Sequence, residues 1–226
     1  MFFKHRRAIY HVRCIKTSYK RMIAETTRSI PTQNMEEGLN SGYSGPLVEI
    51  LFFQVDGFFE AERSAHNFIL STLTTAGLLK SAPSSLHDFY NKAKKEPGSY
   101  LIHPHDEIED QLTAFWEKHG ERTKDYRDCF SHFAALSGAT WQHNVNMIWA
   151  NGSWNADFEL PDNPATKSYK SFTYDLRLDA LQVCTEISKE TTKLLDVLMN
   201  ICLVKWNAKL DKNQVRSEVR NVRISD

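Results

Sequence analysis

The sequence predicts an all-α fold: a helical bundle of four to five helices, with a small hairpin or loop insertion before a long C-terminal helix. Three observations carry this expectation. Two long stretches show helical apolar spacing, two or three shorter helical segments lie between them, and each is bounded by residues that cap or break helices. The 226 residues suit one domain, or two small ones, and suffice for a sizeable core.

Residues 1–45 stand apart. Lys4, Arg6, Arg7, Arg13, Lys16, Lys20, Arg21 and Arg28 face only Glu25 before Glu36 and Glu37, and the stretch ends in Gly38, Ser41, Gly42, Ser44, Gly45 and Pro46. That composition reads as a basic arm, flexible or loosely docked, joined by a linker. An arm that touches RNA or an acidic partner is the functional alternative. The helical domain then spans 46–210, with an insertion at 137–171, and a charged tail covers 211–226.

The first strong helix is expected from Leu47 to Leu79, where Val48, Leu51, Phe52, Val55, Phe58, Phe59, Ala65, Ile69, Leu73 and Ala76 recur at helical spacing. A second follows, with Ser85 as its cap and Leu86, Phe89, Tyr90 and Ala93 as its stripe, ended by Pro97-Gly98. The third opens at Asp106 as N-cap with Glu109 three residues on, and Gly120 suits its C-terminal stop. The fourth runs from Arg122 to Leu136. Asn151-Gly152, between Met147–Ala150 and Ser153–Phe158, signals a type I′ hairpin. The last helix is expected from Thr173 to Leu210, long enough that it should bend or split.

Composition narrows the function classes. Net formal charge is zero, so any nucleic-acid contact must come from a local patch. Cys14, Cys129, Cys184 and Cys202 show no CxxC spacing and read as reduced thiols of a cytoplasmic protein. The basic start lacks the apolar core of a secretory signal, no apolar run spans a bilayer, and no membrane partner is expected.

The chemistry concentrates in Arg127-Asp128-Cys129-Phe130-Ser131-His132 on the fourth helix. At about 100° per residue, Tyr126, Cys129, Phe130, Phe133 and Ala134 form one apolar stripe. Arg127, Asp128, Ser131 and His132 occupy the other side and should project away from the core. Asp128 and His132, one helical turn apart, can pair and so raise the basicity of the imidazole. A guanidinium matches two phosphate oxygens, and an imidazole moves protons near neutrality. Together they fit cleavage of RNA by attack of a ribose 2′-hydroxyl on the neighbouring phosphate. One helix encloses a phosphate poorly, so a two-fold homodimer is expected to complete the cleft.

This string resembles the signature of the HEPN superfamily: Arg, a polar residue, a spacer, then His. The resemblance implies a helical bundle whose dimer forms a composite, metal-independent ribonuclease site. It makes Arg127 and His132 catalytic, with Asp128 supporting. Many members of that superfamily are toxins or antiviral effectors, which implies an RNA substrate, possible antitoxin or regulatory proteins as partners, and no cofactor or metal. One toxin subgroup adds a Tyr two residues after the His, where this chain has Ala134. Ser131, Trp141 and His143 are candidate substrate-binding residues, since Trp141, Trp149 and Trp154 with His143 and Asn144 could stack on bases. The same three Trp serve equally as core or interface residues. A non-catalytic helical dimerisation or binding module is the alternative function.

Two weaker constellations remain. His103-Pro104-His105-Asp106 has the spacing of metal ligands but reads as a loop entering a helix cap. Glu62 and His66, one turn apart, read as a helix-surface pair.

Overall fold

The computed structural model describes residues 2–33, 35–103, 107–131, 145–166 and 168–222. Its elements are α1 (Phe2–Ser29), β1 (Asn40–Gly42), α2 (Pro46–Thr75), α3 (Leu86–Lys95), α4 (Glu107–Phe115), α5 (Glu121–Cys129), β2 (Val145–Ala150), β3 (Ser153–Leu160), β4 (Leu178–Asp179) and α6 (Ala180–Val222). The fold is mostly helical, as expected, but it is not all-α. Four antiparallel strands form one sheet in the order β1-β2-β3-β4.

The sheet grows from the expected hairpin. Asn151 and Gly152 take positive φ at the turn (54° and 73°), and Trp149 pairs with Trp154 across the strands. Alternate residues Trp154, Phe158 and Leu160 then point into the core with Val145 and Met147. The two outer strands escaped sequence reading because each has only two or three residues. Asn40–Gly42 lies in the Gly/Ser-rich linker and pairs with β2, and Leu178–Asp179 lies where the last helix was expected to have begun.

The N-terminal segment is the largest departure. It is a 28-residue helix rather than a flexible arm, and it packs along α2. Ala8, Ile15, Tyr19 and Met22 sit one or two turns apart and are buried in one core cluster with Val48, Leu51, Val55, Phe58 and Phe59. The basic residues fill the outward positions, so composition concealed an amphipathic helix. Pro31, which lacks an N–H and clashes with the preceding turn, stands just past its end. Where α1 packs on α2, Gly57 meets the His11 ring, and a Cβ there would lie 2.6 Å from it.

Of the other helices, α2 and α3 follow their signals; the Asp106 cap expected for α4, and residues 132–136 expected to end the fourth helix, lie outside the described residues, and two other expectations fail. Pro46 opens α2 at its first turn, and Gly77 with φ of 71° ends it. Ser85 caps α3 by accepting from the Asp88 N–H. Gly120, however, does not stop a helix. Its φ is −68°, and α4 continues through a π-turn at Trp116–Gly120 into α5. The Trp116 ring lies so close that a Cβ on residue 120 would meet it at 2.6 Å. The last helix does not split: α6 runs unbroken for 43 residues and includes most of the segment expected as a tail. A second core cluster gathers Ile69, Leu70, Leu86, Phe89, Ile108, Leu112, Trp116, Leu195 and Leu198 around the far end of α2. No helix among the described residues is long and apolar enough to cross a membrane.

One polar cluster crosses this interior. Glu62 and His66, expected on a helix surface, are fully buried because α1 covers one flank of α2 and α6 the other. His5 Nδ1 donates to Glu62 Oε1 at 3.1 Å, and His5 Nε2 lies 2.9 Å from Thr192 Oγ1. The Thr192 hydroxyl itself donates to the Ser188 carbonyl, so His5 links α2 to α6 through both ring nitrogens. His66 Nε2 sits 3.6 Å from Glu62 Oε2 and 3.3 Å from Thr191 Oγ1, with the Phe115 ring edge-on to it. Burial holds the His66 imidazole neutral, pushing it down to about 3.

Two expectations follow. His5→Ala leaves the Glu62 carboxylate buried without its partner, and should cost roughly 3–5 kcal/mol in urea denaturation. The second concerns acid. The folded chain binds fewer protons at His66 than the unfolded chain between its ordinary 6.5 and about 3. Stability from this group is therefore intact above that window and lost as pH falls through it, on the order of 5 kcal/mol over the full range. Burial raises Glu62, which acts in the opposite direction, so the comparison that isolates His66 is with His66→Gln. Wild type should lose more stability than this variant between pH 6.5 and 4 in paired thermal melts; equal losses would show that His66 does not set the acid limit.

Candidate functional site

Arg127, Asp128 and Cys129 close α5, and Phe130 and Ser131 follow it, at the point where the helix packs against α2. Tyr126, Cys129 and Phe130 are buried as the wheel requires. The Tyr126 ring stacks on Phe59 at 5.0 Å, its hydroxyl donates to the Pro161 carbonyl, and Phe130 packs on Phe52 and Phe59. These contacts fix both the height and the rotation of α5 against α2.

That rotation changes the expected role of the opposite side. Arg127, Asp128 and Ser131 do not project freely into solvent; they are half-buried over the polar face of α2. Arg127 Nε donates to Glu60 Oε1 at 2.8 Å, and its Nη1 donates to Asp128 Oδ1 at 3.0 Å. Ser131 Oγ donates to the same Glu60 oxygen at 3.1 Å. Among the described residues, Nη2 of Arg127 donates to no protein acceptor, and the side chain remains 34% exposed. Among the described residues the guanidinium is thus held at two of its nitrogens, with no acceptor at the third.

Charge around it is closely interleaved. Arg63, Lys124 and Arg127 are set among Asp56, Glu60, Asp125 and Asp128. Burial works against the ionised form of Asp128, but the Arg127 hydrogen bond and Lys124 hold its carboxyl below the usual carboxylate range. The Asp128 hydrogen bond in turn raises Arg127. Burial, then the Glu60 charge, raise Asp56. The cluster keeps Arg127 cationic at every accessible pH, and as a set it carries one more carboxylate than cations.

The remaining expected site residues divide. His132, Trp141 and His143, with Asn144, lie outside the described residues, as does any pairing of His132 with Asp128. Asp128 instead takes Arg127 and Lys124 as partners. Trp154 is buried and Trp149 packs edge-on to it at 5.5 Å, so this pair belongs to the core under the hairpin rather than to a stacking platform. His103 lines a cleft between the end of α2 and α6, and His105 lies outside the described residues. Among the described residues no group of three His, Cys, Asp or Glu is placed to hold a metal ion.

Sequence reading missed Glu60. It lies 67 positions before Arg127, and in the sequence it was one of several polar residues on the outer side of α2. Only the crossing of α2 and α5 makes it the shared acceptor for two motif residues. A second unforeseen cluster joins α1 to the sheet. The Tyr19 hydroxyl donates to Asp179 Oδ2 at 2.6 Å and receives the Phe158 N–H at 3.1 Å. Next to it the Asp157 carboxyl is pushed up to about 7, by burial and by the Asp179 carboxylate.

No known family model matches the chain, and no characterised protein or solved structure matches it either.

Glu60→Ala should release Arg127 and Ser131 at little structural cost. The pair is partly exposed, so equilibrium unfolding should shift by no more than about 1 kcal/mol. The Arg127 Nε–H signal in NMR should lose its protection from exchange. Unchanged protection would mean that Asp128 alone fixes the side chain.

Proposed function

We propose that this chain is an endoribonuclease of the HEPN type, acting as a two-fold homodimer without a metal, with Arg127 and His132 as its catalytic pair. The observation that carries the reading is the state of Arg127. A motif arginine kept only for stability would satisfy its guanidinium within the fold. Here Glu60 and Asp128 hold Nε and Nη1, while Nη2 has no protein acceptor among the described residues and the side chain is partly exposed. That is the arrangement of a pre-oriented oxyanion donor.

In the proposed reaction His132 removes the proton from a ribose 2′-hydroxyl. The 2′-oxygen attacks the adjacent phosphorus, and the bond from phosphorus to the 5′-oxygen breaks. Arg127 stabilises the charge on the non-bridging oxygens, and the leaving 5′-oxygen is protonated by the imidazolium of one of the two subunits. The products are a 2′,3′-cyclic phosphate and a 5′-hydroxyl. A toxin or phage-defence setting, with an antitoxin or regulatory partner, belongs to the same reading.

One observation favours a second reading. Asp56, Glu60, Asp125 and Asp128 outnumber Arg63, Lys124 and Arg127, which is an unfavourable surface for an RNA backbone. It suits a non-catalytic dimerisation or binding module in which Arg127 meets a protein carboxylate.

The two readings separate in one assay. Single-stranded RNA incubated with the purified chain in EDTA should yield cyclic-phosphate ends, and Arg127→Ala and His132→Ala should each reduce the rate at least 100-fold with folding intact. Light scattering after size exclusion should give the mass of a dimer. Cleavage that survives both substitutions rejects the motif as the site. A dimer that lacks cleavage, and that Arg127→Ala dissociates, selects the binding module.

A further inference from the structure

The deficit of positive charge around Arg127 is matched by an excess elsewhere. Within α1, Lys4, Arg6, Arg7, Arg13, Lys16, Lys20, Arg21 and Arg28 are all exposed. Among the described residues none of them forms an ion pair. The one acid of the helix, Glu25, accepts from the Tyr43 hydroxyl.

The placement of these cations follows from the docking of the helix. At about 100° per residue, Arg6, Arg13, Lys16, Lys20, Arg21 and Arg28 fall within an arc of about 140°, and Arg7 flanks it. That arc lies roughly opposite the buried His5, Ala8, Ile15, Tyr19 and Met22. Arg6 to Arg28 span 22 residues, about 33 Å of helix, the reach of roughly ten stacked nucleotides. Phe3 and Tyr10, 79% and 60% exposed, stand within the same face one above the other.

We infer that the outer face of α1 binds single-stranded RNA, its cations along the phosphates and Tyr10 and Phe3 against the bases. The choice of RNA rests on the ribonuclease reading; the recognition of a stacked polyanion comes from α1 itself. A membrane surface fits less well. A basic helix on a bilayer inserts its apolar face, and the apolar face of α1 is occupied by α2, β3 and α6. Only α2 stands between this face and the motif: His11, on the flank of α1, bonds Gln54 of α2, and Glu60 of α2 accepts from Arg127.

The test uses the full chain carrying His132→Ala, so that binding is read without cleavage. Fluorescence anisotropy with a labelled 20-nucleotide oligouridine should give a log–log salt slope near −4, from about 0.7 per phosphate contact over six cations. Adding Arg6→Gln, Arg13→Gln, Lys16→Gln and Lys20→Gln should bring the slope to about −1.5 and weaken binding at least tenfold, with circular dichroism unchanged. Tyr10→Ala should weaken binding about fivefold or more at the same slope. Three results would overturn the inference: no RNA binding at 50 mM salt, an unchanged slope in the quadruple variant, or competition by polyglutamate or phosphatidylserine vesicles as strong as by RNA. Cleavage by wild type remains a separate readout. Binding through α1 with no cleavage would leave this inference standing and remove the ribonuclease reading, and cleavage indifferent to α1 would do the reverse.

Discussion

The fold is organised around a carboxylate that has nowhere to go. Glu62 sits at the middle of α2 with no route to solvent, and a buried charge is tolerated only when opposite charge and hydrogen bonds meet it. Those partners come from the two ends of the chain, His5 from the first turns of α1 and Thr191 from α6, with His66 one turn along α2 and Thr192 holding His5 in turn. Apolar packing alone would let α1 slide or rotate by a turn along α2 at modest cost. The directional bond from His5 to Glu62 removes that freedom and sets the register of three helices at once.

Everything proposed for function inherits that register. Glu60 lies two positions before Glu62, on the side of α2 turned toward α5, and so receives Arg127 and Ser131. On the other side of α2, the same constraint presents the outer face of α1 in one orientation, with Gly57 allowing the His11 ring to approach. A neutral chain thus divides into a mixed-charge site on α5 and a strongly basic face on α1, with α2 between them. Total charge, which is zero, conceals this division.

What the sequence made legible were the features with local causes. The Asn151-Gly152 turn, the Ser85 cap and the Tyr126–Cys129–Phe130 stripe all depend on neighbours within a few residues. What stayed hidden depends on partners far along the chain. Glu62 and His66 looked like a surface pair because nothing near them announces the helices that cover both flanks. The α1 helix looked like an arm because eight cations outweigh four well-spaced apolar residues in any reading by composition. The strands β1 and β4 are too short to show a period of two. At the site, the string from Arg127 to Ser131 was visible, but its partner Glu60 was one acid among several on α2. Its identity needed the angle at which two helices cross.

The π-turn at Trp116–Gly120 bears on that angle. Ile108, Leu112, Phe115 and Trp116 on α4 belong to the second core cluster, whereas Tyr126 and Phe130 on α5 belong to the first. Counted along the sequence, the two stripes are in phase, as if one straight helix presented one face throughout. The extra residue accommodated by a π-turn adds about 100° of rotation, which swings the later stripe from one core to the other. The segment is therefore a phase shifter, and the aim of Arg127 is set ten residues before it. A plain α-helix of the same length would turn Arg127 about 100° away from Glu60, whereas a chain shortened by one residue between 116 and 120 would close the segment into an ordinary α turn and keep the two aligned.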